Sequence, residues 1–182
     1  DKYFDLAIVD PPYGINIQKS GRLGRYNNQN VWDDKIPNDD YFNELFRVSK
    51  NQIIWGGNYF PLKPTKCFLI WDKKQPENIS FASCEFAWTS FDSVAKTFYY
   101  SPMNDNDKRI HTTQKPVALY EWILSRYAKD GDIILDTHVG SASSLIACYN
   151  TKHKFVGFEL DKYYYELSKK RLDAEMAQMR IT

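Results

Sequence analysis

Four consecutive residues, Asp10, Pro11, Pro12 and Tyr13, place an acid, two residues of locked φ and an aromatic ring directly after the apolar run Leu6, Ala7, Ile8, Val9. A buried strand has no packing reason to finish on an acid. Neither proline can donate to a ladder, so the chain must turn out of the sheet at this point. The turn presents the Asp10 carboxylate, a proline carbonyl and the face of Tyr13 to one small volume. A planar base carrying an exocyclic amine suits that volume: the ring stacks on the base, while carboxylate and carbonyl accept its two N–H bonds. For the tripeptide Asp-Pro-Pro alone, a rigid turn with a capping acid is the plainer alternative.

A second constellation lies late in the chain. Residues 134–143 read Ile-Leu-Asp-Thr-His-Val-Gly-Ser-Ala-Ser, which sets Asp136, His138, Gly140 and Ser141 between a short strand and a helix start. In open α/β sheets, ligands bind at the carboxyl ends of strands, and a turn of small residues lets a ligand reach the backbone at the helix N-terminus. About 20 residues on, a strand ends at Glu159 and Asp161, where a carboxylate can hydrogen-bond ribose hydroxyls.

The elements needed to position these residues are legible in outline. Short apolar runs at 6–9, 52–55, 67–71, 85–89, 133–136 and 155–159 read as strands. Helical patterns start at Asn38 and at Pro116, recur through Leu145, Ile146 and Cys148, and fill 163–179. Strands alternating with helices predict an α/β fold with a mostly parallel sheet and helices on both faces. At 182 residues the chain fits one domain, 1–182. Two polar stretches without period, 14–37 and 93–110, read as long loops, and loops of that length are commonly functional.

The net charge is +1, weak for a nucleic-acid binder, so any basic face has to be local. Lys19, Arg22 and Arg25 fall in the first loop; Lys96, Lys108, Arg109 and His111 fall in or beside the second. No apolar run approaches membrane-spanning length. Cys67, Cys84 and Cys148 sit far apart in apolar segments and His111, His138 and His153 lack ligand spacing, so neither a disulfide framework nor a metal is expected. The chain opens on a strand, not on a secretory signal. These features predict a soluble protein of the reducing cytoplasm with no membrane association.

Residues 10–13 resemble the catalytic motif of the amino-group DNA methyltransferases, which move a methyl group from S-adenosylmethionine to N6 of adenine or N4 of cytosine. Residues 136–142, Asp-Thr-His-Val-Gly-Ser-Ala, are similar in frame to the family's Asp-Pro-Phe-x-Gly-Ser-Gly turn for the methionine part of the cofactor, although the proline, the phenylalanine and the last glycine differ. Residues 111–116, His-Thr-Thr-Gln-Lys-Pro, resemble the family's His-Pro-Thr-Gln-Lys-Pro segment on the cofactor carboxylate side. The stretches 55–59 and 71–73 resemble further pocket segments.

With the acid-proline motif first and the cofactor turn last, the order resembles the permuted beta group, and it implies a Rossmann-like methyltransferase fold. The resemblance implies Asp10, Pro11, Pro12 and Tyr13 as catalytic residues. It places the cofactor against Asp10, Thr112, Thr113, Gln114, Lys115, Asp136, His138, Gly140, Ser141 and Glu159. Aspartate at position 10 leans towards adenine N6 on a base flipped out of DNA, with loops 14–37 and 93–110, including Phe98 and Tyr99, as candidate DNA contacts. Competing readings are an N4-cytosine enzyme, an RNA or protein-amide methyltransferase, and a non-catalytic DNA-binding subunit of the same fold. A homodimer and a restriction partner are candidate associations.

Overall fold

Leu6, Ala7, Ile8 and Val9 are each 1% exposed or less, because they form an interior strand of a sheet covered on both sides. The computed structural model describes residues 1–17, 32–76, 78, 81–102 and 109–178. Its elements run β1 (Phe4–Val9), α1 (Asp39–Val48), β2 (Ser49–Trp55), β3 (Phe68–Asp72), β4 (Cys84–Thr89), β5 (Lys96–Tyr99), α2 (Val117–Tyr127), β6 (Ile133–Asp136), α3 (Ser143–Asn150), β7 (Lys154–Gly157) and α4 (Lys162–Gln178). The seven strands form one sheet in the order β5-β3-β4-β2-β1-β6-β7.

Four ladders are parallel: β1 with β2, β1 with β6, β6 with β7 and β3 with β5. Strand β4 runs antiparallel to both β2 and β3. This reversal matters for the site, because the amino end of β4 meets the edge where β1, β2, β3 and β6 end.

Alternation along the strands divides the core. Leu6 and Ile8 face Ile53, Trp55, Leu119, Ile123 and Ala147, packing the sheet against α2 and α3. Ala7 and Val9 face the other way, onto Phe42 and Leu45 of α1 and onto Ile54 and Leu135. Helix α1 begins where the sequence places it, with the Asn38 side chain accepting the Tyr41 amide at 3.1 Å. No described helix is long and apolar enough to cross a membrane.

One expectation changes. Residues 93–110 read as a loop, but Lys96–Tyr99 form the edge strand β5, with Leu69 paired to Lys96 and Asp72 to Tyr99. The strand escaped sequence reading because it is four residues long and mostly exposed, so no apolar alternation marks it. Phe98 packs on Trp122 and Tyr100, its ring centroid 5.3 Å from that of Trp122. It therefore belongs to a minicore rather than to a free surface. Lys19, Arg22, Arg25 and Lys108 lie outside the described residues.

Candidate functional site

Strand β1 carries Asp10 to the sheet edge, and two donors take its oxygens there. The Tyr13 hydroxyl donates to Oδ1 at 2.6 Å, and the Lys115 ammonium donates to Oδ2. The ammonium also bonds Glu85 Oε2 at 3.0 Å, and Glu85 Oε1 takes Lys73 Nζ at 2.7 Å. Glu85 stands at the amino end of β4, so the reversed strand is what delivers it.

Burial raises Asp10 above the usual carboxylate range, opposed by the Lys115 charge and reinforced by Glu85. Burial also pushes Glu85 up, but its two ammonium partners outweigh that and hold it at about 2. Lys115, only 3% exposed, loses by burial and gains more from its two carboxylates, so it stays charged.

The turn after Asp10 is held by an acid the sequence reading did not single out. Asp33 is 1% exposed and accepts the backbone amides of Tyr13 at 2.6 Å, Gly14 at 2.8 Å and Ile17 at 2.9 Å. Three convergent N–H donors on one carboxylate fix the chain that leaves the two prolines. The Tyr13 ring stacks on Tyr59 with centroids 4.9 Å apart. Beneath it Gly56 has φ +68°, and a Cβ there would lie 2.1 Å from Tyr13 Cε1.

The second constellation gathers at the ends of β6 and β7. Asp136 accepts the His138 amide at 2.9 Å and the Ser144 hydroxyl, yet burial dominates and raises its carboxyl to about 7. Glu159 takes the Gly140 amide on one oxygen at 2.8 Å and the Asp161 amide on the other at 2.9 Å. Arg171 of α4 donates to the Ser141 carbonyl at 2.7 Å and the Ser143 hydroxyl at 2.9 Å, tying the turn to the last helix.

The His138 ring packs edge-on against Tyr41, whose hydroxyl lies 2.7 Å from the Thr137 hydroxyl. Burial lowers both His138 and His111 to about 4, so both rings are neutral.

An open cleft of about 210 Å³ joins the two halves. Its lining includes Asp10 and Pro12 after β1, Thr113, Gln114 and Lys115 before α2, and His138, Gly140, Ser141 and Glu159 after β6 and β7. Trp32, His111, Tyr120 and Tyr164 complete an aromatic wall, with the His111 and Tyr164 rings 4.3 Å apart.

Thr112 and Asp136 are buried and lie off the cleft wall; Pro11 and Tyr13 also stand outside its lining. Gln114 spends its carbonyl oxygen on the Ile110 amide at 2.9 Å. Lys115 lines the cleft and turns its ammonium to Asp10 and Glu85. The physical reason for that direction is the pair of half-buried carboxylates there.

The residues missed from sequence include Glu85, Asp33, Tyr41 and Tyr120, and in the cleft wall Trp32 and Tyr164. Glu85 had a signal, an acid inside the apolar segment Cys-Glu-Phe-Ala-Trp. Asp33 had none, because its partners are backbone amides about 20 residues away.

Known proteins match this chain in sequence and in fold. The family profile described as DNA methylase, N6/N4 type, matches residues 70–170. The type II methyltransferase M.HpaI of Haemophilus parainfluenzae is 38% identical over 71 residues, 39% of this chain and 23% of that protein. M2.DpnII of Streptococcus pneumoniae is 40% identical over 65 residues, 36% of this chain and 24% of that protein. The chain thus aligns with about a quarter of the length of each of these relatives.

The crystal structure of M1.HpyAVI in complex with S-adenosylmethionine superposes with a TM-score of 0.64 at 24% identity, covering 93% of this chain and 90% of that one. PvuII DNA methyltransferase, described as cytosine-N4-specific, superposes at 0.61 with 14% identity, covering 93% and 79%. Both share the fold.

Proposed function

The chain belongs to the N6/N4 DNA methylase family, and on that premise we propose that it transfers a methyl group from S-adenosylmethionine to the exocyclic N6 amine of adenine in DNA. The observation that carries this reading is the cleft itself. It runs from a half-buried, charge-held Asp10 to the Glu159 carboxylate at the end of the β6–β7 edge.

The donor set fits an elongated, cationic nucleoside cofactor. Glu159, at the β7 end, suits ribose hydroxyls; Gly140 and Ser141 at the start of α3, with Thr113 and Gln114, suit the amino-acid end. The Asp10 carboxylate gives that region the acidic character a sulfonium requires, and His138 forms a flat neutral wall. The bound cofactor would supply an electrophilic methyl carbon.

The protein's part is positioning and proton handling. The amine lone pair is delocalised into the base, so the nitrogen is a weak nucleophile until its N–H groups are held. Asp10 accepts one N–H and the Pro11 carbonyl the other, which leaves the lone pair free for in-line attack. The positive charge that would grow on the nitrogen lies beside the Asp10 carboxylate, which would offset it and then receive the departing proton. The Tyr13 ring, packed against Gly56 and Tyr59, braces the Asp10 carboxylate through its hydroxyl, and Tyr59, 43% exposed, offers the aromatic surface for the flipped base.

Adenine is favoured over cytosine by aspartate at position 10, and residues 14–37 and 93–110 remain the proposed DNA-contacting regions of a single catalytic domain, 1–182. A second copy of the chain and a restriction enzyme are proposed associations. The test is methyl transfer from labelled S-adenosylmethionine to a mixed-sequence DNA duplex, with the product nucleosides resolved. Labelled N6-methyladenine supports the reading and N4-methylcytosine changes the base. Absence of cofactor binding overturns it in favour of a non-catalytic subunit.

A further inference from the structure

Four side chains of alternating charge lie in contact along the sheet edge: Lys73, Glu85, Lys115 and Asp10. Both oxygens of Glu85 are taken by ammonium groups, Lys73 at 2.7 Å and Lys115 at 3.0 Å. Lys115 divides its protons between Glu85, Asp10 and, at 3.4 Å, the Tyr13 hydroxyl. With its side chain 2% exposed, the Lys115 charge is balanced by the two carboxylates and not by water.

A Lys115 paired with Asp10 alone would stabilise the carboxylate most and leave it the weakest proton acceptor. Glu85 competes for the same ammonium. It also sets a second negative charge near Asp10, and both effects strengthen Asp10 as an acceptor.

Resting on the methyl-transfer reading above, we propose that Glu85 is a positioning residue for that reaction. It draws the Lys115 charge away from Asp10, so that Asp10 keeps the accepting power that the target amine requires. Tyr13 in the turn, Tyr41 on α1, Tyr120 on α2, Glu85 on β4 and Asp136 on β6 are the other titratable groups facing Asp10. Among the described residues in contact with Asp10, Lys115 is the cation. Glu85 is the second carboxylate bound to that cation, and Lys73 sets how strongly Glu85 can compete.

The test compares wild type, Glu85→Gln and Lys73→Met by two readouts. One is the pH profile of single-turnover methyl transfer to DNA; the other, free of any reaction, is the Asp10 carboxyl titration followed by 13C NMR. Glu85→Gln removes a negative charge, so the acid limb and the Asp10 titration are expected to move to lower pH by on the order of one unit. The plateau rate is expected to fall by roughly tenfold or more, with S-adenosylhomocysteine binding unchanged.

Lys73→Met removes a positive charge and is expected to move both curves the other way. Its side chain touches Glu85 and is separated from Asp10 by Glu85 and Lys115 in the chain of charges, so it carries the test if Glu85→Gln fails to fold. Curves that stay put in the folded variants, or a full rate in Glu85→Gln, overturn the proposal. A wild-type protein that neither binds S-adenosylhomocysteine nor methylates DNA refutes the methyltransferase reading, and the carboxyl titration still decides the hold of Glu85 on Asp10.

Discussion

Gly56→Ala is a single-methyl change whose consequence can be worked through from geometry. The backbone there has φ +68°, and the added Cβ would lie 2.1, 2.5 and 2.6 Å from three atoms of the Tyr13 ring. Carbon atoms rest near 3.5 Å or beyond, so the ring must move by more than an ångström. That motion separates it from Tyr59, on which it stacks at 4.9 Å, and pulls its hydroxyl from Asp10 at 2.6 Å.

The left-handed backbone costs a non-glycine residue about 1–2 kcal/mol. The lost hydrogen bond to a carboxylate costs about 1.5–3 kcal/mol, and the lost ring pair about 0.5–1.5 kcal/mol. A total near 4 kcal/mol is about 10 °C in Tm for a chain of this size. Methyl transfer should fall with it, while cofactor binding holds because neither Gly56 nor Tyr13 lines the cleft. The assay is a double-mutant cycle with Tyr13→Ala, read by urea denaturation. In the Tyr13→Ala background the clash is gone, and Gly56→Ala should cost only the backbone share. Equal costs in both backgrounds would refute the reasoning.

Other outcomes follow from the same geometry. Asp33→Ala strands three backbone amides and is expected to lower stability by about 2–4 kcal/mol. Asp33→Asn keeps an acceptor for Tyr13 and Gly14 and should recover more than half of that loss, as urea midpoints will show.

Burial raises Asp136 to about 7, while the unfolded chain releases that proton near pH 4. Its contribution is fully present below about pH 4 and is lost as pH rises to about 7. Wild type should therefore be less stable at pH 7.5 than at pH 5, and Asp136→Asn should flatten the slope. Glu85, held at about 2, has the opposite sign. Its stabilisation is present above about pH 4.3 and is lost on acidification towards 2, so unfolding at low pH should be shallower in Glu85→Gln.

Much of this site is legible in the sequence because strands that end on acids announce themselves. An apolar run closing on Asp10, another on Asp136 and a third on Glu159 each break the packing logic of a buried strand, and the parallel sheet brings all three ends to one edge. The helix starts at Asn38 and Pro116 were equally plain, since capping and φ-locked residues act locally.

What stayed hidden depended on strand direction and on partners far apart in the chain. Glu85 reaches Lys115 only because β4 is reversed, and neither periodicity nor composition encodes direction. The side chain of Lys115 points to Asp10 because a second carboxylate is there to share it, a fact that belongs to the pair and not to the motif. Asp33 answers backbone amides, which every residue carries, and so leaves no trace in the pattern of side chains.

The central claim is that Asp10 receives the target amine, and Asp10→Asn in single-turnover methyl transfer tests it most directly. The amide keeps the shape of the side chain but loses the charge and the acceptor pair. The expected result is a rate reduced at least about a hundredfold, with S-adenosylmethionine still bound and the fold intact by circular dichroism. A variant that methylates DNA at the wild-type rate would contradict the account.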